Sequence, residues 1–523
     1  VSEQKPLKVV GQPTVRVDGV GLAKGNAVFA DDMQRAGMLY LKLCYSTIAH
    51  GKIKHIDKSR AQALPGVVAI LTHEDFPEHF YTTAGQGYPE PSPRDMLILN
   101  PTVRFVGDKV ALVAAETLEI AREAVKLLKV EYEELPSIFD PRESVDNSVV
   151  LHGEVQDDPF CYAPKRNIAS RITAELGDVD RAMAESVQVL EREYSTPYVQ
   201  QAHIEPHITL TWLDENERLV IRTSTQVPFH VRRIVSEVLN FPLYRIRVIK
   251  PRLGGGFGGK QEILNEELCA AVTLKTGRPA RLELTREEEF YTARSRHPEI
   301  IKFKIGLDQD HHITALDMNI LENCGAYGPH ALTVMSVTAQ KSLSLYKIPN
   351  IRLLGQAVYT NLPVAGAYRG YGAPQGFFAL ESLMDETAAE LGVDPLNLRE
   401  KNFFSEGDEI PIARILGEGR EGYEMKLNTT GMRRCLRRGA ELIGWKAAMD
   451  PLKQNEVIRE GVGVAAACQG SGIPGIDMAA VFIKMNEDAS FNLQIGATDL
   501  GTGADTALAQ IAAEVRGVPV KRS

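Results

Sequence analysis

The chain has 523 residues, 44% hydrophobic and 24% charged, with a net charge of −9. A length beyond one core predicts about two to four domains, and the acidic balance excludes nucleic acid as the main partner, because phosphate binding wants a basic face. The cysteines Cys44, Cys161, Cys269, Cys324, Cys435 and Cys468 form no Cys-x-x-Cys pair. They exclude a zinc ribbon or a protein-held iron–sulfur cluster and predict reduced thiols in a cytoplasmic protein. No apolar run of about 18 residues predicts a membrane span, and the first residues carry no apolar leader core.

Residues 1–140 read as an α/β unit. Met38–Ser46, Val67–Thr72 and Lys109–Ala115 are strand candidates. Helical spacing runs from Thr117, a good N-cap, to Leu128. Residues 141–167 continue a stretch rich in Pro, Asp and Ser and read as a linker. A larger unit over 168–405 holds strands at Arg245–Ile249 and Ile313–Ile320 and helices at Gln261–Thr276 and Gly376–Gly392. His311-His312, after Asp308-Gln309-Asp310, reads as a hairpin turn. Residues 406–460 read as a connecting helical segment, in which Arg433, Arg434, Arg437 and Arg438 form a solvated helix face. The last unit, 461–523, offers a strand pair, a glycine turn and a helix, too little to bury a core alone, so it needs material from elsewhere.

Two glycine-rich runs stand out. Gly254-Gly255-Gly256-Phe257-Gly258-Gly259-Lys260 leaves backbone N–H groups uncovered by side chains, and Tyr368-Arg369-Gly370-Tyr371-Gly372-Ala373-Pro374-Gln375-Gly376 repeats the pattern around an arginine and a tyrosine. Such loops suit a large anionic ligand. The first run matches the dinucleotide spacing Gly-x-Gly-x-x-Gly, with Glu283 downstream. However, Pro251-Arg252-Leu253 separates it from its strand, where the dinucleotide turn starts at the strand end. It also approaches a phosphate-binding P-loop, but position 261 is Gln, so the magnesium-binding hydroxyl is missing. His203-Ile204-Glu205-Pro206-His207 lacks the helical face a zinc-protease pattern needs, because Pro206 breaks it; no protein-ligated metal is expected there.

These residues carry a resemblance. Gln200-Gln201-Ala202-His203-Ile204-Glu205-Pro206, Ser224-Thr225-Gln226-Val227-Pro228, both glycine runs and Gly496-x-x-Asp499-x-Gly501-x-Gly503 follow one another in order. Together they resemble the molybdenum-binding large subunit of the xanthine oxidase and aldehyde oxidoreductase family of molybdenum hydroxylases. The look is nearest to bacterial xanthine dehydrogenase molybdenum subunits, partly through Gly259-Lys260-Gln261 and Ala504-Asp505-Thr506. Residues 1–140 resemble that family's hammerhead domain, through Ala30-Asp31-Asp32, Ser46-x-x-x-His50-Gly51 and Leu64-Pro65-Gly66-Val67.

The resemblance implies an α+β and α/β architecture: a hammerhead domain, a molybdopterin-binding domain over 168–405 and part of a second one over 461–523. It implies a molybdenum held by a pterin dithiolene, as molybdopterin or its cytosine dinucleotide form, and by no protein side chain. Gly255, Gly256, Phe257 and Gly258 would then lie beside the metal, with Gln200 or Gln201 hydrogen-bonding near it. Gly370, Gln469, Gly470, Gly501, Thr502 and Gly503 would touch the cofactor, as would the rest of Gln469–Gly472. Arg369, Gln261 and Tyr371 would face the substrate, Arg369 offsetting negative charge and Tyr371 forming an aromatic wall.

The implied reaction hydroxylates a carbon beside a heteroatom, or an aldehyde carbon, with oxygen from water. The implied partners are a [2Fe-2S] subunit, an FAD subunit and a chain with the rest of the second molybdopterin domain, in a dimer of heteromers. The family's catalytic glutamate would fall beyond Ser523 and is expected on that other chain. The purine-gripping glutamate of the animal enzymes falls at Gln261, and their second purine-contacting arginine near Gly328. Purines rank first as substrates, other N-heterocycles such as nicotinate second and aldehydes third. Outside this class stand an NAD-dependent dehydrogenase using Gly254–Gly259 and a non-catalytic scaffold.

Overall fold

The computed structural model describes residues 6–85, 87–155, 158–419, 421–445, 461–470 and 478–520. Its local elements follow local chemistry. Thr117 caps the helix Leu118–Leu127 by accepting from the Ile120 N–H, and Gly392, at φ 66°, closes the long helix Ala373–Leu391. Val67–Thr72 and Lys109–Ala115 are strands, and Leu39–Tyr45 lies within the predicted Met38–Ser46. The His311-His312 turn joins Glu299–Leu307 to Ile313–Gly325, with His311 at φ 65°.

A seven-stranded sheet runs in the order Ile246–Ile249, Leu219–Thr223, Ile208–Leu213, Ala280–Glu283, Leu39–Tyr45, Lys109–Ala115, Val67–Thr72. Its central joint is parallel: Leu39 pairs with Ala280 and Leu41 with Leu282. The sheet therefore crosses from the first predicted unit into the second, and the two do not have separate sheets. Leu39, Leu41 and Leu43 point into one core with Leu219, Ile221, Val231 and Leu268. On the other face Lys42 is buried against Glu288, 2.7 Å away. Alternation along Leu39–Tyr45 signalled one apolar face; the buried ion pair closes the other.

A five-stranded sheet, Ile168–Leu176, Ile351–Tyr359, Ile313–Gly325, Glu299–Leu307 and Gln188–Ser195, is antiparallel except where Ile313–Gly325 meets Ile351–Tyr359. That parallel joint needs a crossover, supplied by the helix Ala331–Leu343. This helix and Ala373–Leu391 pack together and carry the largest core, with Met335, Leu343, Leu380, Leu383 and Met384.

Several sequence expectations change. The 141–167 connection is packed into the molecule: Leu151, Val155 and Cys161 join the large core, and Ser144, His152 and Asn167 are buried. Asn167 satisfies this irregular backbone by donating to the Ser144 and Val149 carbonyls and accepting from the Leu151 N–H. The helix predicted from Gln261 begins at Glu266 instead. Residues 261–265 before it form no helix, because Glu262 is buried in a 2.6 Å pair with Arg294 and the Ile263 N–H donates to the Thr83 carbonyl.

The helix Met432–Ile443 does form, and Arg434, Arg437 and Arg438 are exposed as expected, whereas Arg433 turns into the protein. Arg433 donates to the Glu400, Phe403 and Phe404 carbonyls, and Arg437 pairs with Glu400. Arg433→Ala is expected to lower local stability by roughly 1.5–3 kcal/mol, the scale of hydrogen bonds to a charged group. Hydrogen exchange should speed up in Met432–Ile443 with little change in the sheets; unchanged exchange would refute this.

The last unit is a hairpin, Val481–Met485 with Phe491–Ile495, and a helix, Ala504–Arg516. Part of the extra material it needs comes from the N-terminal segment. Glu514 accepts from the N–H groups of Lys8, Val9 and Val10, and Thr506 accepts from the Val17 N–H. Among the described residues no helix is long and apolar enough to cross a membrane.

Candidate active site

The two glycine runs meet. The Arg369 N–H donates to the Phe257 carbonyl at 2.9 Å, and the Gln201 amide donates to the Ala367 carbonyl at 2.8 Å. A Cβ on Gly258, whose φ is 98°, would sit 2.6 Å from the Ala367 oxygen, so only glycine allows this approach. A Cβ on Gly256 would sit 2.5 Å from Gln226 Oε1. The glycines are therefore demanded first by protein packing.

Some backbone donors remain over. Gly254 N–H goes to Glu205 Oε2 at 2.9 Å, and Gly258 N–H goes to Gln226 Oε1 at 2.9 Å. The N–H groups of Gly255, Gly256 and Phe257 find no acceptor among the described residues. The aromatic centres of both runs have left-handed backbones, Phe257 at φ 52° and Tyr371 at φ 46°. Phe257 stands exposed at the surface of the loop. The Tyr371 hydroxyl is held inside by His330 Nδ1 and, at 2.6 Å, by Thr333 Oγ1.

Buried charges support the first loop. Lys260, in the P-loop-like position, turns inward and pairs with Glu205 at 2.8 Å. His207 presents Nδ1 to Glu289 at 2.9 Å and Nε2 to the Gly259 carbonyl at 3.0 Å. Both ring nitrogens of His207 therefore face oxygen partners. Burial opposes ionisation of Glu289, but His207 outweighs it and brings the carboxyl down to about 2. Burial, helped by the His207 charge, pushes His203 down to about 4, which keeps it neutral.

No helix runs through His203–His207, as Pro206 predicts, and a bend still brings His203 and His207 together with Glu289. His207 is committed to two oxygen partners, which explains the cluster as an ion pair carrying the loop. Glu289 and Gln226 were missed as functional supports. Gln226 had a signal, its place in the Ser224–Pro228 motif; Glu289 had none in a run of three glutamates.

A cavity of 930 Å³ opens beside this junction. Of the expected residues it gathers Gln261, Gly370, Tyr371, Gln469 and Gly470, with Gln226 on its wall. Gln201 is buried between the loops with its amide oxygen unpaired. Gln200 instead turns to the Glu289 carbonyl and the Ala202 N–H. Arg369 is exposed and is not among the residues lining the cavity; its backbone is what ties the loops.

Gly501-Thr502-Gly503 winds around Asp499, whose carboxylate accepts from the N–H groups of Gly501, Gly503 and Asp505. Gly501 lines a separate cavity with Lys250 and Arg252, while Gly496, Thr498 and Leu500 reach the main one. Gly328 is tied to Asp95 away from the main cavity, and the cations that do line it are Arg233 and Lys341. Ser471 and Gly472 lie outside the described residues. The dinucleotide geometry is absent: residues 260–265 separate the last loop glycine from the helix at Glu266.

Unpaired loop N–H groups, the buried Gln201 oxygen and an adjoining cavity of mixed polar and apolar lining fit a pterin, a flat group dense in donors and acceptors. Comparison with known proteins agrees. Residues 24–136 match the aldehyde oxidase and xanthine dehydrogenase a/b hammerhead domain, and residues 162–403 and 438–522 match molybdopterin cofactor-binding domains. The chain is similar to the probable hypoxanthine oxidase XdhD of Escherichia coli (strain K12), with 38% identity over 98% of this chain and 56% of that protein. It is similar to the nicotinate dehydrogenase large molybdopterin subunit of Eubacterium barkeri, with 31% identity over 79% of this chain and 93% of that one.

Among solved structures, quinoline 2-oxidoreductase from Pseudomonas putida 86 superposes with a TM-score of 0.85 at 27% identity, covering 98% of this chain and 66% of that one. The aldehyde oxidoreductase from Desulfovibrio gigas gives a TM-score of 0.83 at 27% identity, covering 95% of this chain and 54% of that one. The chain spans 56% of the length of one curated relative and 66% of another. With a hammerhead domain, a molybdopterin-binding domain and part of a second, it belongs to the xanthine dehydrogenase and aldehyde oxidase family of molybdopterin-binding proteins.

Proposed function

We propose that this chain forms the molybdopterin-binding part of a hydroxylase acting on a purine or another N-heterocycle. The observation that carries the reading is the junction of the two glycine runs beside a cavity holding Gln261, Tyr371 and Lys341. When bound, the molybdenum–pterin group supplies the two-electron oxidation that inserts water-derived oxygen at a carbon. Gly255, Gly256 and Phe257 would hold it through their N–H groups, and Gln201 through its unpaired amide oxygen. Gln469 and Gly470 would bound its tail.

The chain's own part is to bind and orient substrate. Tyr371, pinned by His330 and Thr333, gives a rigid aromatic wall, and Gln261 offers either a donor or an acceptor to a ring edge. Relatives named for hypoxanthine and nicotinate support a heterocyclic substrate. Aldehydes stand behind them, because a wall of Gln261, Lys341 and Glu418 gains little from a simple aldehyde.

Partners follow from chemistry and surface. Electrons would leave through iron–sulfur and FAD subunits, since the six cysteines are scattered and three of them are buried. Val481, Phe482, Ile483 and Met485 are exposed along one hairpin strand, and Ile511 and Val515 on the last helix. Apolar surface of this kind wants a cover, here the rest of the second molybdopterin domain, bearing the catalytic glutamate.

The test is metal analysis and mass identification of the complex purified through this chain, then a screen of hypoxanthine, xanthine, nicotinate and benzaldehyde. Stoichiometric molybdenum, co-purifying iron and flavin, and oxidation of a heterocycle are expected. A metal-free chain that folds alone and oxidises nothing would leave the scaffold reading standing.

A further inference from the structure

Val337 and Lys341 lie one turn apart on the helix Ala331–Leu343, and both face the cavity. Lys341 Nζ is 3.0 Å from Glu418 Oε1, with side chains only 14% and 11% exposed. Glu418 lines the cavity too. A buried ion pair that serves structure alone has its remaining donors and lone pairs satisfied. In the pairs under the glycine loop the carboxylates obey that rule, Glu205 also accepting from Gly254 N–H and Glu289 from His207 N–H, although the Lys260 ammonium has Glu205 alone; Glu418 has no such second donor among the described residues. Lys341 has three N–H donors, and Glu418 is the one polar partner of its ammonium among the described residues. The ammonium lies close over Gly470, where a Cβ would come within 2.7 Å of it. The pair thus offers a donor and an acceptor side by side, both open to the cavity that holds Gln261 and Tyr371.

We infer that Lys341 and Glu418 select the substrate, by gripping the lactam edge of an oxo-substituted N-heterocycle, with Lys341 donating to the ring carbonyl and Glu418 accepting from the adjacent ring N–H. This rests on the heterocycle-hydroxylase reading of the cavity. A lactam satisfies both members at once. A ring carboxylate would meet Lys341 but also face Glu418, a like charge with little water between them. An aldehyde without a ring N–H would leave Glu418 unanswered.

The test uses the intact complex with Lys341→Met, Glu418→Gln and the double variant, each checked for molybdenum and flavin content. KM and kcat are measured with hypoxanthine, nicotinate and benzaldehyde, and equilibrium binding is measured with uric acid, a lactam product, as a readout independent of turnover. Lys341→Met is expected to raise the hypoxanthine KM and the uric acid Kd about tenfold or more, the effect of losing a charged hydrogen bond. Its benzaldehyde kcat/KM should fall by a smaller factor than its hypoxanthine kcat/KM, because benzaldehyde has no lactam edge for the pair to grip. Glu418→Gln should weaken lactam binding and improve nicotinate.

The double variant leaves no isolated buried charge, so it remains informative should Lys341→Met fold poorly; it should show the same lactam loss. Hypoxanthine kinetics and uric acid binding unchanged in all three variants, with the unaltered complex oxidising hypoxanthine, would overturn the inference and leave the heterocycle reading intact. An unaltered complex that oxidises benzaldehyde and no heterocycle would overturn both.

Discussion

Lys260→Met is expected to destabilise the protein by roughly 3–5 kcal/mol, the scale for stripping one partner from a buried ion pair. Lys260 is fully buried, and its ammonium lies 2.8 Å from Glu205. Burial pushes the lysine pKa down while Glu205 opposes that shift, so the pair is held by mutual charge in a poor solvent. Methionine fills the space of the stem but leaves the Glu205 carboxylate alone.

That carboxylate also accepts from the Gly254 N–H and, more weakly, from the Ala30 N–H. The damage should therefore spread to the first glycine run and to the hammerhead side. Denaturant unfolding and hydrogen exchange of the Gly254–Gly259 amides would measure it. Lys260→Met with Glu205→Gln removes both charges and should recover most of the loss. A single variant within about 1 kcal/mol of the parent would show that the pair is not what holds the loop.

The same residue marks how far the sequence could be read. Gly254–Lys260 announced a close backbone approach, and the approach is there. What it approaches was not legible: the glycines pack on Glu205, Gln226 and Ala367, residues far away along the chain. Local signals carried well, such as the Thr117 cap and the Asp308–His312 hairpin, because the partners sit within a few residues. Long-range pairing did not. Nothing near Leu39 says that it pairs with Ala280, or near Lys8 that it meets Glu514.

The helix Ala331–Leu343 went unread for another reason. It is buried on nearly every side, so its apolar residues show no helical period to detect. Lys341 stood in that segment as a lone cation, and only the fold brings Glu418 to it. The family motifs bridged part of this gap, since a motif stores long-range neighbours as local letters. Gln226 is such a letter: its carboxamide fixes the first glycine run from a separate segment.

Glu299→Gln should have an effect that grows with pH. The strand register sets Glu299 directly opposite Glu322, both fully buried. Two like charges so placed cannot both ionise. Burial pushes Glu299 up to about 8 and, with Glu299 beside it, pushes Glu322 well above the usual carboxylate range. The nearby Arg296 opposes the Glu299 shift without cancelling it. His297, 4.0 Å from Glu322, supplies no counter-charge, because burial brings it down to about 3.

Thr338 also opposes the Glu299 shift, by donating to its carboxyl. Thr338 Oγ1 lies 2.7 Å from Glu299 Oε1, 3.1 Å from the Gly372 carbonyl and 3.2 Å from the Val334 carbonyl. One hydroxyl proton cannot serve three acceptors. The Thr338 proton is shared with the Gly372 and Val334 carbonyls, so its bond to Glu299 does not cancel the effect of burial.

The sign follows from the raised pKa. The unfolded chain loses this proton near the ordinary value of 4.5, and the folded chain keeps it to about 8. Stability from the neutral acid is complete below 4.5 and drains away as pH rises toward 8, by about 1.4 kcal/mol per pH unit for one proton. Glutamine mimics the neutral acid and cannot ionise. The variant should match the parent near pH 5 and exceed it increasingly up to pH 8. His203 and His297 titrate in both proteins and cancel in the difference. Denaturant unfolding of both at several pH values decides the matter: a stability difference that does not change with pH would mean that Glu299 is already ionised in the fold, with Glu322 alone carrying the proton.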